Sequence, residues 1–231
     1  LGKVVNYEKI PENKRQGKPA YAAMIESVDE SVGRVTRVLR ELGLEKSTLV
    51  IFTSDNGGFA GATSNAPLRA NKGSNYEGGI RVPAIVKWPK AGRRGVLSNV
   101  PIISMDFFPT ILAATGHALC PHQHIDGVDL TPVLKKSGGL SRDAIYWHYP
   151  HYNRHPENFP AGVVRANNWK LLQEFETGKL SLYDLADDIG ETKNLASRYP
   201  EKVKSLLIKL KSWQKDVGAD PMRPNPEYKD K

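Results

Sequence analysis

Thr48-Leu49-Val50-Ile51-Phe52-Thr53-Ser54-Asp55-Asn56-Gly57-Gly58 is a short apolar, β-branched run that ends in a carboxylate, an amide and two glycines. The apolar stretch is too short for a helix and is bounded by Lys46-Ser47 and Gly57-Gly58, so it reads as a strand. Its apolarity does not alternate, which is the pattern of a strand buried on both faces in a parallel sheet. Upstream, Tyr21, Met24, Ile25, Val28, Val32, Val35, Leu39 and Leu42 recur at helical spacing and Gly43 supplies a stop. This predicts a helix with one buried stripe and places Met24 in the core. A helix delivering into a buried strand is half of a βαβ unit, so the class is α/β.

Downstream, a second strand is expected at Val82 to Trp88, where Pro83 marks its start, and a helix from Asp106 to Thr115 with Asp106 as cap and Gly116 as stop. Beyond about Ser141 the pattern changes to short strands, Ala144–His148, Gly162–Arg165, Trp169–Phe175 and Lys179–Leu185, with Asn167-Asn168 and Thr177-Gly178 at the turns. A last helix starts near Pro200 and carries Val203, Leu206, Leu207, Leu210, Trp213 and Val217 on one face. The expected organisation is an α/β domain over residues 1–140, a small antiparallel sheet with one helix over 141–220, and a tail over 221–231. Residues 1–19 read as a polar, basic lead-in.

The 231 residues suffice for a sizeable core, and 39% hydrophobic with 25% charged residues is a globular composition. The net charge of +8 is spread along the chain without an aromatic-interleaved basic patch, which argues against a nucleic-acid partner. No apolar run approaches the roughly 18 residues that span a bilayer, so no membrane partner is expected. Cys120 is the sole cysteine, which excludes an intrachain disulfide framework and a multi-cysteine zinc site. The chain opens on Leu1-Gly2-Lys3-Val4 with no signal peptide, and more of the protein is expected upstream.

Two stretches carry chemistry. Asp55 and Asn56 put adjacent oxygen donors at the C-terminal end of a strand, where α/β sheets place ligands, and oxygen donors suit a hard cation such as calcium or magnesium. Two ligands cannot hold such an ion alone, and an ordinary Asp-Asn-Gly turn has the same sequence. The stretch from Pro67 to Pro83 is a glycine-rich loop in which Lys72 offers a compact charge to an anion while Glu77 and Arg81 pair to shape the loop. His117, His122 and His124 flank Cys120 but read as a surface loop rather than a zinc site. Trp147-His148-Tyr149-Pro150-His151-Tyr152 is dense in rings and suits the rim of a sugar pocket, with His148 as a substrate contact.

Together these stretches resemble the type I sulfatases of the alkaline phosphatase superfamily. The resemblance runs through Tyr21 to Asp29, Val32-Gly33-Arg34, Thr53 to Gly58, Lys72-Gly73, Glu77-Gly78-Gly79-Ile80-Arg81-Val82-Pro83 and Met105 to Leu112. It continues in Asp126 to Leu130, Trp169-Lys170-Leu171 and Leu182-Tyr183-Asp184-Leu185 through Glu191 to Asn194-Leu195. The fold it implies is the C-terminal portion of an alkaline phosphatase-like sandwich followed by a small antiparallel α+β subdomain. The activity it implies is hydrolysis of a sulfuric ester, with a sulfated small molecule or glycan as partner. By the same resemblance Asp55 and Asn56 match calcium ligands, with magnesium the less apt ion, and Lys72 matches the catalytic sulfate-binding lysine. The family works with a formylglycine made from a Cys/Ser-x-Pro/Ala-x-Arg motif, which this chain lacks: Cys120 is followed directly by Pro121. Formylglycine and the N-terminal part of the same protein are therefore expected upstream, the chain alone is expected to be inactive, and the family suggests a periplasmic or secreted location. Two rivals remain open at this point: a phosphate or phosphonate ester hydrolase of the same superfamily, and a non-catalytic remnant that binds sulfated glycans.

Overall fold

The computed structural model describes residues 17–91 and 94–223 together with Asn225 and Glu227. Most of the expected lead-in and much of the expected tail lie outside the described residues. The chain forms two compact units, Leu1–Ser64 with Val82–Arg142, and Asn65–Arg81 with Asp143–Lys231.

In the first unit, α1 (Pro19–Glu41) opens on a proline at its first turn, and Gly43 with φ of 69° follows its end. β1 (Val50–Thr53) pairs with β2 (Ala84–Lys87), Val50 opposite Lys87 and Thr53 opposite Ala84. The pairing is antiparallel, and neither face of β1 is buried, which corrects two expectations. An unbroken apolar run records what a strand favours burying but not the direction of its neighbour. A two-stranded ribbon cannot cover its own faces, so Phe52 and Ile85 stand exposed. α1 departs in the same way: Met24, expected in the core, is 64% exposed, and only Ala22 and Ala23 are buried. Periodicity writes an apolar stripe, but burial needs an opposing surface, and among the described residues of this unit no helix or strand packs extensively along that stripe.

A short 3₁₀ turn, Ser104–Asp106, leads into α3 (Phe107–Thr115), which ends at Gly116 in the left-handed region with φ of 79°. Asp106 does not cap α3 through its side chain. It is fully buried instead, accepting from Ile103 N and Val128 N and from Nη1 and Nη2 of Arg142 at 2.7 and 2.9 Å. α4 (Thr131–Lys135) completes this unit.

The second unit is built on an antiparallel sheet in the order β3 (Ile145–Tyr149), β4 (Ala161–Ala166), β5 (Trp169–Glu174) and β6 (Leu180–Asp184). The strand alternation supplies two apolar faces. Val164, Leu171 and Leu182 pack against Leu206 and Leu210 of α5 (Pro200–Asp216). Val163, Leu172 and Tyr183 pack on the opposite face with Tyr76, which precedes the single helical turn α2 (Glu77–Ile80). The expected helix covers one face, and the segment 65–81 covers the other. Among the described residues no helix is long and apolar enough to cross a membrane.

Candidate functional site

In the first unit the chain leaves β1 at Thr53, whose hydroxyl donates to the Pro83 carbonyl at 3.0 Å. The exposed Asp55 accepts the Asn56 amide at Oδ1, 3.0 Å away, and the Ser54 hydroxyl donates to the Asn56 carbonyl at 3.1 Å. The turn thus presents a carboxylate beside an amide. As oxygen donors they fit calcium in kind, but calcium takes about six to eight oxygens, so they supply part of a shell. Among the described residues no group of three or more His, Cys, Asp and Glu side chains is placed to hold a metal. That covers the histidines around Cys120 as well: His117 Nδ1 lies 2.9 Å from the Thr115 hydroxyl, and His124 Nδ1 lies 3.1 Å from the Gly127 carbonyl.

In the second unit Lys72 is exposed, and among the described residues no hydrogen bond or ion pair engages its ammonium. The loop beneath it is closed by the Gly78 amide donating to the Arg69 carbonyl at 2.7 Å. A Cβ at Gly78 would collide with the carbonyl oxygens of Arg69 and Ala70, and one at Gly79 with that of Ser74, so this closure requires glycine at both positions. Gly73 has a φ of +95°, and its carbonyl accepts the side-chain amides of Asn153 at 2.6 Å and Asn158 at 2.9 Å.

Both feet of this loop are fastened. At the first, Arg69 pairs through Nε with Glu157 at 2.8 Å and donates to the Glu191 carbonyl at 3.0 Å and to the Tyr183 hydroxyl at 3.3 Å. Its guanidinium also lies 3.7 Å from the centre of the Tyr76 ring. At the second foot Glu77, 1% exposed, pairs with Lys170 at 3.0 Å and Arg165 at 3.4 Å, and its amide donates to Glu191 Oε2 at 2.6 Å. The expected Glu77–Arg81 pair is present at 3.7 Å. Lys170 reaches Glu191 Oε1 at 2.8 Å, and both residues have 0% exposure. Burying an unpaired charge costs several kcal/mol, and here each buried carboxylate is opposed by a cation, Glu77 by Lys170, Arg165 and Arg81 and Glu191 by Lys170. Burial pushes the Glu191 carboxyl up against the pull of Lys170, and burial pushes the Arg165 guanidinium down.

His148 lies elsewhere in the second unit. It projects from β3 toward α5, where Nδ1 is 3.1 Å from Gln214 Nε2 and Nε2 is 2.8 Å from the Asp220 carbonyl. An amide nitrogen beside Nδ1 and a carbonyl beside Nε2 fit the tautomer that carries its proton on Nε2. Its neighbour Trp147 packs on the opposite face, with Tyr76. The structure therefore brings Asp55 and Asn56 together on the first unit, while on the second it sets His148 and the Lys72 loop on opposite faces of the sheet. Arg69, Lys170 and Glu191 were not singled out as site residues from the sequence. The available signal was a lysine in the middle of an otherwise apolar strand, Trp169-Lys170-Leu171-Leu172.

Two family models match the chain: the sulfatase model over residues 3–117, and the N-sulphoglucosamine sulphohydrolase C-terminal model over residues 70–216. The chain belongs to the sulfatase family. A sulfatase of Formosa agariphila is 35% identical over 86% of this chain and 40% of that protein. The N-acetylglucosamine-6-O-sulfatase of Bacteroides thetaiotaomicron is 30% identical over 84% of this chain and 35% of its own length. Among solved structures, Ps i-CgsB in complex with k-i-k-neocarrahexaose superposes with a TM-score of 0.78 at 29% identity, covering 92% of this chain and 46% of that one. The phosphonate monoester hydrolase of Agrobacterium radiobacter gives a TM-score of 0.66 at 28% identity, covering 86% and 41%. This sulfatase chain thus spans less than half the length of these relatives. Its mixed α/β architecture is that of the alkaline phosphatase-like fold these sulfatases share.

Proposed function

We propose that this chain is the C-terminal part of a sulfuric ester hydrolase acting on a sulfated carbohydrate. The observation that carries the reading is Lys72, an exposed ammonium with no partner among the described residues, standing on a loop fastened at both feet. A cation without a partner on a fastened loop suits a tetrahedral oxyanion: it holds the sulfate in the ground state and stabilises the charge that grows on its oxygens as the ester bond breaks. Asp55 and Asn56 would hold calcium, which when bound neutralises sulfate oxygens. The nucleophile, formylglycine, is assigned to a part of the protein outside these 231 residues, and the chain alone is expected to turn nothing over. His148, with both ring nitrogens engaged, is not required in this reading. A carbohydrate substrate is supported by the N-acetylglucosamine-6-O-sulfatase and the neocarrahexaose complex among the relatives.

The test is sulfate release from an aryl sulfate and from 6-O-sulfated N-acetylglucosamine, by this chain and by the product of its whole coding frame. Activity is expected only in the second, and Lys72→Ala is expected to lower kcat by about 10²- to 10³-fold, as losing one oxyanion donor does. Turnover by the 231 residues alone would remove the claim of incompleteness. The match to a phosphonate monoester hydrolase favours one rival, a phosphonate or phosphate ester hydrolase on the same scaffold. Hydrolysis of phenyl phosphonate in preference to the sulfates would establish that rival.

A further inference from the structure

The geometry points to Glu191 and Lys170 as positioning residues for Lys72. This rests on the reading of Lys72 as an oxyanion contact. Glu191 reaches both feet of the loop: its carbonyl accepts from Arg69 at the first, and its Oε2 accepts the Glu77 amide at the second. It does so with φ of 51°, a left-handed conformation that a side-chain-bearing residue rarely adopts unless its surroundings enforce it. Lys170 then links the Glu191 carboxylate to that of Glu77, at 2.8 and 3.0 Å.

Residues 74–79, which include the second foot at Glu77, are buried without interruption, and Lys72 stands just before that run. Gly73, between Lys72 and the buried run, is gripped at its carbonyl by Asn153 and Asn158. The backbone under Lys72 therefore has little freedom while the feet hold. If either foot opens, the closure from Gly78 to Arg69 loses its support, and the ammonium samples a larger volume. A positioned cation binds an anion better than a roaming one because less entropy is lost on binding. Neither Glu191 nor Lys170 is exposed, so neither touches the anion, and both act through the loop that carries Lys72.

The experiment uses the whole chain, the near-isosteric Glu191→Gln, and a cycle with Lys72→Ala. Amide exchange is read at Ser74 and Gly78 in the loop and at Val163 and Leu171 in the sheet. Affinity for inorganic sulfate is read from the amide shifts of Lys72 and Gly73 at constant ionic strength. Glu191→Gln should speed exchange at Ser74 and Gly78 by about tenfold more than at the strand amides, because local opening is decoupled from global unfolding. It should weaken sulfate binding about tenfold with Lys72 present and not at all in the Lys72→Ala background, the non-additivity expected of residues acting through one another.

Exchange that rises equally in loop and sheet, or a sulfate effect that survives in Lys72→Ala, would overturn the positioning role. If sulfate never perturbs Lys72 in the unaltered chain, the oxyanion reading fails, and the exchange pattern still judges the positioning of the loop. Should Glu191→Gln not fold, Arg69→Met releases the first foot from a half-buried position and is expected to show the same localised exchange. Its absence there would overturn the inference.

Discussion

Replacing Lys170 by methionine removes the charge that two buried carboxylates share while keeping most of the volume. Lys170 has 0% exposure and lies 3.0 Å from Glu77 Oε1 and 2.8 Å from Glu191 Oε1. Without it, Arg165 at 3.4 Å and the half-exposed Arg81 at 3.7 Å still face Glu77, but among the described residues the Glu191 carboxylate keeps only the Glu77 amide. Arg69 reaches Glu191 at its carbonyl rather than its carboxylate, and the Tyr183 hydroxyl meets Arg69. Stripping one partner from a buried pair costs about 3–5 kcal/mol, a large share of the roughly 5–15 kcal/mol that holds a domain together. At a urea slope of about 2 kcal/mol/M, this moves the unfolding midpoint down by about 2 M.

The penalty in Lys170→Met should depend on pH with a defined sign. Burial already raises the Glu191 carboxyl above 4.5, and Lys170 opposes that rise, so its removal raises the carboxyl further. A carboxyl raised in the folded state binds its proton more tightly there than in the unfolded chain. Stability from this source is fully present below the unfolded value near 4.5 and is lost as pH climbs through the folded value. The variant should therefore be less destabilised at pH 5 than at pH 8, measured as the difference from the unaltered chain in urea titrations followed by tryptophan fluorescence. A penalty that is equal at the two values, or larger at pH 5, would refute the reasoning, because it would mean that no carboxylate is left uncompensated.

Gly78→Ala should disrupt the closed loop, since its Cβ would meet the carbonyls of Arg69 and Ala70; faster amide exchange at residues 71–78 is the check, and a loop as protected as before would contradict it. Leu210→Ala empties a fully buried position between α5 and the sheet and should cost about 2–5 kcal/mol in urea unfolding. Met24→Ser changes an exposed position of the same apolar type and should stay within about 0.5 kcal/mol in this chain. Comparable costs for these two variants would show that α1 is covered after all.

How much was legible from the sequence varies with the reach of the contact involved. The four strands after Ser141, their turns and the covering helix were readable because each obeys a local period and is bounded by turn residues, Asn167-Asn168 among them. The glycines at 78 and 79 and the exposed Lys72 were legible as a loop that carries charge, since few other reasons place paired glycines beside such residues. Asp55 and Asn56 were legible as donors at the end of a strand, and the strand is there. The direction of its partner was not legible, because antiparallel and parallel neighbours accept the same apolar run.

By itself the sequence determined the family, the element types and the chemistry on offer, because motif order, periodicity and residue type are properties of the chain read in line. Only the tertiary structure decided which face each element buries, that residues 65–81 close the second face of the C-terminal sheet, and that Glu191 joins both feet of the Lys72 loop. The physical reason is sequence separation. Glu77 lies 93 residues from Lys170 and 114 from Glu191, and no local pattern carries a contact whose partner arrives from so far along the chain.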